Sequence, residues 1–173
     1  VLDKEFLGMG QEVELFEKEI ALYIGVDSDS VVCVNTGTSA LHLAISALDI
    51  GPGDEVIVPS ITYVASLQAI SATGATAIIC DVVERDFLLD VVDAEKRITS
   101  NTKAIMAVHY ASNSKNLSDV YLLAKKYSLR IIEDAAQAFG CDFSGKKVGA
   151  TGDITCFSFD GIKNITSGEG GAI

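Results

Sequence analysis

Short apolar runs alternate with longer amphipathic segments along the whole chain, and this alternation limits the possible folds more than any other feature. Apolar runs of strand length between helical segments are typical of a parallel sheet, since helices cover both of its faces. The predicted strands are 31–34, 55–58, 75–80, 103–108, 130–132 and 154–159, with another opening at 171–173, and the predicted helices are 11–23, 39–48, 64–71, 93–98 and 117–127. The sequence therefore predicts an α/β fold with a mainly parallel sheet flanked by helices.

Length and charge restrict the class of protein. The 173 residues fit one domain, and 49% hydrophobic residues permit a packed core. A net charge of −11 argues against nucleic-acid binding, but it does not exclude a phosphate-bearing ligand held by backbone N–H groups. No apolar run approaches the roughly 18 residues of a membrane helix, and residues 1–5 carry no signal pattern. We expect a cytoplasmic protein with no membrane association.

The chain has four cysteines, Cys33, Cys80, Cys141 and Cys156. They form no CxxC pair and lie near no histidine at metal-ligand spacing, so no metal site is predicted. We expect small buried thiols in a reducing compartment.

Ligands of open parallel sheets bind beyond the carboxyl ends of the strands, so the loops after strands are the places to search. The first such loop, 35–39, has a glycine followed by small hydroxyl residues at the start of a helix. It predicts either an anion site at the helix N-terminus or an ordinary helix cap.

Three further loops carry unusual residues. Tyr63 follows the strand 55–58 and predicts either a ring that stacks on a flat ligand or a packing residue. Asp134 follows the strand 130–132 and predicts either a charge partner for a ring nitrogen or a helix cap. Lys163 lies in a glycine-rich segment and predicts either a surface charge or an amine that forms a Schiff base. Together these residues supply each part that a pyridoxal 5′-phosphate (PLP) site needs.

Several motifs then carry a resemblance that covers essentially the whole chain. They are 35–44 (NTGTSALHLA), 51–60 (GPGDEVIVPS), 133–138 (EDAAQA), 157–159 (FSF) leading to Lys163, and 168–171 (GEGG). In this order the chain resembles the DegT/DnrJ/StrS family of nucleotide-sugar aminotransferases, within the aspartate aminotransferase superfamily of PLP fold type I. The resemblance implies that residues 1–173 are the PLP-binding large domain, a fragment without the N-terminal extension and the C-terminal small domain.

The resemblance implies roles for three residues that act on the reactive part of the cofactor. Lys163 matches the lysine that forms the Schiff base and moves the proton between substrate and cofactor. Asp134 matches the carboxylate paired with the pyridine nitrogen, and Gln137 matches the residue beside the phenolic oxygen.

It also implies how the cofactor is held. Tyr63 matches the aromatic residue stacked on the ring. Thr38, Ser39 and Ser158 match the phosphate-binding group, and Gly37 permits close approach.

Lys163 also bears on the type of reaction, because family members that dehydrate the sugar at C3 have histidine in its place. The resemblance thus implies transamination, from glutamate to a keto sugar carried on a nucleotide, by a homodimer whose active sites lie at the subunit interface. The sequence of segment 159–166 is similar to the corresponding segment of enzymes that aminate C4 of a dTDP-linked 4-keto-6-deoxyglucose. Such enzymes form deoxyamino sugars for polysaccharides.

Two positions depart from the family pattern, and other readings stay open. Segment 111–114 (ASNS) replaces the usual Gly and Pro, and Asp160 stands where many members have His or Tyr. The alternatives are a fold type I lyase or desulfurase acting on amino acids, a C3 sugar aminotransferase, or a PLP-binding protein without catalysis. A Rossmann dehydrogenase is disfavoured because the first loop lacks G-x-G-x-x-G.

Overall fold

The computed structural model describes residues 8–173, so residues 1–5, used above for the localisation, lie outside the described part. The helices are α1 (Gln11–Ile24), α2 (Gly37–Ala47), α3 (Val64–Ala72), α4 (Val91–Lys96) and α5 (Leu117–Tyr127), with 3-10 turns at Ser28–Ser30 and Tyr110–Ser112. The strands are β1 (Cys33–Val34), β2 (Glu55–Pro59), β3 (Thr76–Cys80), β4 (Thr102–Val108), β5 (Arg130–Asp134), β6 (Asp142–Phe143), β7 (Lys146–Lys147), β8 (Ile154–Ser158) and β9 (Gly171–Ala172).

Seven strands form one sheet in the order β1-β9-β8-β5-β4-β2-β3. Strands β3, β2, β4, β5 and β8 run parallel to their neighbours, while β9 pairs antiparallel with both β8 and β1. The predicted α/β fold with a mainly parallel sheet is therefore confirmed. All the parallel strands end at the same edge, which brings the loops after β2, β4, β5 and β8 together.

Helices cover both faces of the sheet, and alternate residues of each strand face opposite sides. Val56 and Met106 pack with the α2 and α3 layer, whereas Ile57 and Ile105 pack with the α5 layer. A third cluster joins α1 to the aromatic residues at the end of β8. The sheet is thus buried on both faces in its central strands, as its apolar runs predict.

The predicted strand 130–132 ends too early. Strand β5 continues to Asp134, since Glu133 and Asp134 still pair with Ala107 and Val108 of β4. Two carboxylates do not resemble strand residues, but their side chains point to opposite faces and each finds partners there. The short hairpin of β6 and β7 was not predicted.

Other boundaries shift by a few residues. Helix α2 begins at Gly37 rather than 39, because Thr36 caps it, and α4 begins at Val91, because Asp90 caps it. Within residues 8–173, no helix is long and apolar enough to cross a membrane.

Candidate active site

A cleft of about 170 Å³ lies at the carboxyl edge of the sheet, between the N-terminus of α2 and the ends of β4, β5 and β8. Seven of the eight predicted cofactor residues line it, namely Gly37, Thr38, Tyr63, Asp134, Gln137, Ser158 and Lys163. A larger cavity of about 360 Å³ lies between α1 and segment 149–155. Its one titratable lining residue, Asp153, is already paired with Arg130, so the chemistry concentrates in the smaller cleft.

The N-terminus of α2 forms one wall of the cleft. Thr36 caps the helix by accepting a hydrogen bond from the Ser39 N–H at 3.0 Å. The N–H groups of Gly37 and Thr38 have no acceptor recorded among the described residues, as is usual for a first helical turn. The loop is therefore both a capped helix and a site with two outward N–H donors, so its two predicted readings are compatible.

Gly37 is required by packing as well as by the ligand site. A Cβ on Gly37 would lie 2.8 Å from the Cβ of Ser158, closer than real Cβ contacts. The absence of this side chain lets α2 approach the end of β8. The hydroxyl group of buried Ser158 is thereby held next to the free N–H groups.

Ser39 is the predicted residue that does not line the cleft. Its N–H donates to the Thr36 Oγ1, and its hydroxyl accepts from the same Oγ1 at 3.1 Å. Ser39 is thus part of the cap, and its predicted phosphate contact stays a prediction.

Asp134 is the buried charge of the cleft, with only 6% of its surface exposed. Its Oδ2 accepts from the Ser66 hydroxyl at 2.7 Å, and its Oδ1 accepts from the Ala136 N–H at 3.2 Å. Burial raises the pKa of Asp134 above its ordinary value of 3.8, although these two donors and the nearby His109 and Lys163 act in the opposite direction. Because a turn rather than a helix follows β5, Asp134 is not a helix cap.

Among the described residues, no cationic side chain is hydrogen-bonded to the Asp134 carboxylate. Two donors satisfy part of its hydrogen-bonding capacity, and the raised pKa shows that they do not offset the lost hydration. A cation bound in the cleft would supply the charge partner that Asp134 lacks.

Gln137 explains how the unusual loop after β4 keeps its shape. Ala111 and Ser112 both have positive φ, at 50° and 65°, in the loop where the family usually has a Gly and a Pro. The Ala111 N–H donates to the Gln137 Oε1 at 2.9 Å, and the Ser112 hydroxyl donates to the Gln137 carbonyl oxygen. With its side-chain oxygen occupied, Gln137 is left with its NH₂ group as a donor for a ligand.

Lys163 and Tyr63 complete the cleft from its open side. Lys163 is half-buried, and its backbone N–H donates to the Asp160 carbonyl oxygen at 2.9 Å. Its charge acts to lower the pKa of Asp134, so the amine lies within electrostatic reach of the carboxylate. Tyr63 is 71% exposed at the cleft mouth, which leaves its ring face open to a flat ligand.

Sequence reasoning missed two site residues. Ser66 is fully buried and also bonds to the Thr62 hydroxyl at 2.6 Å. The signal for it was a hydroxyl group within an otherwise apolar helix start. His109 lines the cleft and is only 2% exposed, and no local pattern distinguishes it from a packing histidine.

None of the four cysteines lines the cleft. Burial raises the pKa of Cys33 to about 11 and that of Cys80 to about 12. The raised pKa values of Cys33 and Cys80 disfavour the thiolate that a cysteine-dependent lyase or desulfurase would need.

The donor set fits PLP. Two N–H groups and a serine hydroxyl suit a phosphate, the buried Asp134 suits a protonated ring nitrogen, and the Gln137 amide suits a phenolic oxygen. The Lys163 amine suits the aldehyde, since a primary amine and an aldehyde form a Schiff base.

Curated relatives match nearly all of this chain. It is 47% identical over 165 residues to GDP-perosamine synthase of Caulobacter vibrioides, covering 95% of the chain and 44% of the relative. It is 42% identical over 174 residues to UDP-N-acetyl-3-dehydro-alpha-D-glucosamine 3-aminotransferase of Acidithiobacillus ferrooxidans, covering 100% of the chain and 47% of the relative. The chain therefore spans less than half the length of these relatives.

Solved structures share the fold. DesV of S. venezuelae, in complex with a ketimine intermediate, superposes with a TM-score of 0.90 at 45% identity, covering 95% of this chain and 44% of that one. Spr1654 of Streptococcus pneumoniae superposes in its PLP form with a TM-score of 0.91 at 33% identity, covering 95% of this chain and 45% of that one. These neighbours are PLP-dependent enzymes of fold type I, and PLP is the cofactor of the family.

The model of the DegT/DnrJ/EryC1/StrS aminotransferase family matches residues 1–173. The motifs, the sheet order and the cleft agree with this match, and the chain belongs to the DegT/DnrJ/EryC1/StrS aminotransferase family.

Proposed function

We propose that the protein is a PLP-dependent aminotransferase that moves an amino group from glutamate to a keto sugar carried on a nucleotide, with residues 1–173 as its PLP-binding large domain. The observation that carries this proposal is the convergence in one cleft of a free helix N-terminus, a buried Asp134 and the Lys163 amine. The relatives support the substrate class, since their names are those of sugar transaminases.

When bound, PLP supplies an electron sink that stabilises negative charge on the substrate carbon. The N–H groups of Gly37 and Thr38 and the Ser158 hydroxyl hold the phosphate, with the α2 dipole adding attraction. Ser39 contributes to the same site by fixing the first turn of the helix through Thr36. Tyr63 covers one face of the ring.

Asp134 keeps a proton on the pyridine nitrogen. Its carboxylate is oriented by Ser66 and Ala136, and water has little access to it. An ion pair formed there is worth more than one in water, because screening is weak. Asp134 therefore determines how strongly the ring withdraws electrons.

Lys163 would hold the cofactor through its amine and would carry the proton between the substrate carbon and the cofactor. Lys163 lines the cleft and lies within electrostatic reach of Asp134, which supports this role. Gln137 donates from its amide to the phenolic oxygen, since its own oxygen is occupied by the Ala111 N–H.

A homodimer is part of the proposal. Tyr63 lines the cleft and is 71% exposed, and Ile162 and Ile165, which flank the cleft residue Lys163 in sequence, are 86% and 50% exposed. Large apolar side chains gathered at a site are typical of a protein interface. A second subunit covering them would complete the substrate pocket of this cytoplasmic enzyme.

We propose amination at C4 of a dTDP-linked 4-keto-6-deoxyhexose as the finer substrate assignment. This assignment is supported by the sequence of segment 159–166. It is also supported by a relative named dTDP-4-dehydro-2,3,6-trideoxy-D-glucose 4-aminotransferase, which is 37% identical over 171 residues. Other relatives are named for amination at C3 and for GDP- or UDP-linked sugars, so the sugar must be tested directly.

The test is a half-reaction with the full-length protein. Glutamate added to the PLP-loaded enzyme should bleach the visible absorbance and release one equivalent of 2-oxoglutarate. The amine should then pass to a panel of keto sugars, and we expect the dTDP-4-keto-6-deoxyhexose to restore the absorbance fastest. A matched Lys146→Ala variant, changed in the exposed hairpin, should behave as wild type.

Two results would contradict the proposal. An absorbance unchanged by glutamate would mean PLP binding without catalysis. Faster turnover of a 3-keto sugar or of a GDP-linked sugar would refute the finer assignment alone.

A further inference from the structure

A chain of three polar side chains, two of them buried and one half-buried, lies next to Asp134 and has no role in the chemistry above. The His109 Nε2 lies 2.8 Å from the Oε2 of Glu133, and the Tyr121 hydroxyl donates to the Oε1 of Glu133 at 2.6 Å. Glu133 is fully buried and His109 is 2% exposed. A carboxylate enclosed in this way is costly unless donors surround it, so the cluster calls for a function.

The packing around this chain is tight. The Tyr121 oxygen accepts from the Asp153 N–H at 3.0 Å. Gly152 has φ of +126°, and a Cβ on it would collide with the Tyr121 hydroxyl and lie 2.5 Å from the Glu133 Oε1. Only glycine lets the backbone come this close, and the close approach keeps water away from the carboxylate.

The hydrogen positions follow from the partners. Burial and the charge of Glu133 raise the pKa of Tyr121, so its hydroxyl remains a donor. One Glu133 oxygen accepts from Tyr121, so the other needs a second donor. The His109 Nε2 is the group that faces it. The proton on Nε2 therefore fixes the orientation of the imidazole ring.

The other ring nitrogen is left without a partner. His109 Nδ1 is buried, and among the described residues it is the one such side-chain N or O atom with no hydrogen bond. His109 lines the cleft, follows β4 directly, and donates its backbone N–H to the Asp134 carbonyl oxygen at 3.0 Å. The imidazole also lies within electrostatic reach of Asp134. An orphaned nitrogen in this place indicates a contact made only in the loaded site.

We propose that Tyr121, Glu133 and His109 form a positioning relay for Asp134, in which Glu133 fixes the His109 side chain and the His109 backbone N–H, bonded to the Asp134 carbonyl oxygen, keeps the Asp134 carboxylate in place for the pyridine nitrogen. His109 acts through Asp134 and is a positioning residue rather than a catalytic one. The inference rests on the proposed function, since it assigns these residues to the PLP site. The titratable groups around His109 are Glu133 and Asp134 on β5, Tyr121 on α5 and Lys163 beyond β8.

The test compares Glu133→Gln with Glu55→Gln in the full-length, PLP-loaded protein. Glu133 is not a lining residue of the cleft, and the substitution removes the charge while keeping the shape. Glu55 is the matched control, because its carboxylate also accepts from two side-chain groups, Thr99 and Thr102, at the opposite edge of the sheet.

Two readouts are measured, the pH midpoint of the visible absorbance of bound PLP and the PLP dissociation constant. For Glu133→Gln we expect the midpoint to move up by about one pH unit, since an Asp134 carboxylate that is held less well against the pyridine nitrogen leaves less positive charge on the ring. The dissociation constant should rise about 10-fold, and Glu55→Gln should change neither. If Glu133→Gln does not fold, Tyr121→Phe should give a smaller shift in the same direction.

The outcomes separate the two claims. A wild type that binds PLP and reacts with glutamate, with midpoints of Glu133→Gln and Tyr121→Phe equal to wild type, would overturn the relay and leave the proposed function standing. A wild type that binds no PLP would overturn the proposed function, and the relay with it.

Discussion

Replacing Asp134 with asparagine should have opposite effects on activity and on the stability of the PLP-free protein. Asp134→Asn keeps the size of the side chain and can still accept from Ser66, but it removes the charge. Two unit charges 3 Å apart attract by roughly 5 kcal/mol at the effective dielectric constant of about 20 that suits protein sites. With part of this offset by lost hydration, we expect about 3–5 kcal/mol of lost transition-state stabilisation, or roughly 10²–10⁴-fold in kcat.

The stability of the PLP-free protein should change in the other direction. The pKa of Asp134 is raised in the folded state, so between 3.8 and that raised pKa the folded protein binds more protons than the unfolded chain. The free energy of unfolding then falls as the pH rises through this interval, by about 1.4 kcal/mol for each unit of elevation. Asp134→Asn should lose this slope and be more stable than wild type at neutral pH.

The assays are turnover with glutamate and the keto sugar, and urea unfolding of the PLP-free protein between pH 4 and 8. Asp93→Asn is the matched control, because Asp93 lies on α4 and bonds to exposed Arg97 away from the cleft. A near-normal kcat for Asp134→Asn would mean that the pyridine nitrogen lies elsewhere. If the free energy of unfolding of Asp134→Asn changed with pH as it does in wild type, the buried Asp134 carboxylate would not destabilise the PLP-free protein.

Three further substitutions test the cleft. Lys163→Ala should reduce turnover by at least about 10³-fold in a steady-state assay while the circular dichroism spectrum stays unchanged, and full activity would refute its role. Ser66→Ala should weaken PLP binding by about 10-fold or more in a fluorescence titration, because a hydrogen bond to a charged group is worth about 1.5–3 kcal/mol; an unchanged affinity would contradict the orientation of Asp134. Gly37→Ala should destabilise the protein by about 1–3 kcal/mol in urea unfolding, through its clash with Ser158. Gly51→Ala, where the nearest atom would be at 3.5 Å, should be milder, and equal losses would argue against the close approach.

Much of the fold could be predicted because it follows from local patterns. Helix α5 has the bounds that its apolar spacing predicts, and the loops after β1, β2 and β8 were identified by glycine and hydroxyl residues that strands and helices rarely combine. Those loops converge because parallel strands end at one edge. The antiparallel β9 was foreseen only as a strand, since two residues carry no sign of their direction.

The side-chain network around Asp134 could not be predicted in the same way. Ser66 reaches Asp134 across 68 positions, and His109 reaches Glu133 across 24, so both contacts depend on the order of β4 and β5 in the sheet. The sequence shows Glu133 and Asp134 as neighbours. The pleat separates them onto opposite faces, where one meets Tyr121 and the other meets Ser66.

The most direct test of the PLP site is to load the full-length protein with PLP, reduce it with borohydride, digest it and identify the modified peptide by mass spectrometry. The account predicts one pyridoxyl group on Lys163, lost in Lys163→Ala and kept in Lys146→Ala. No adduct on the intact protein, or an adduct on another lysine, would contradict the assignment of the cleft as the PLP site.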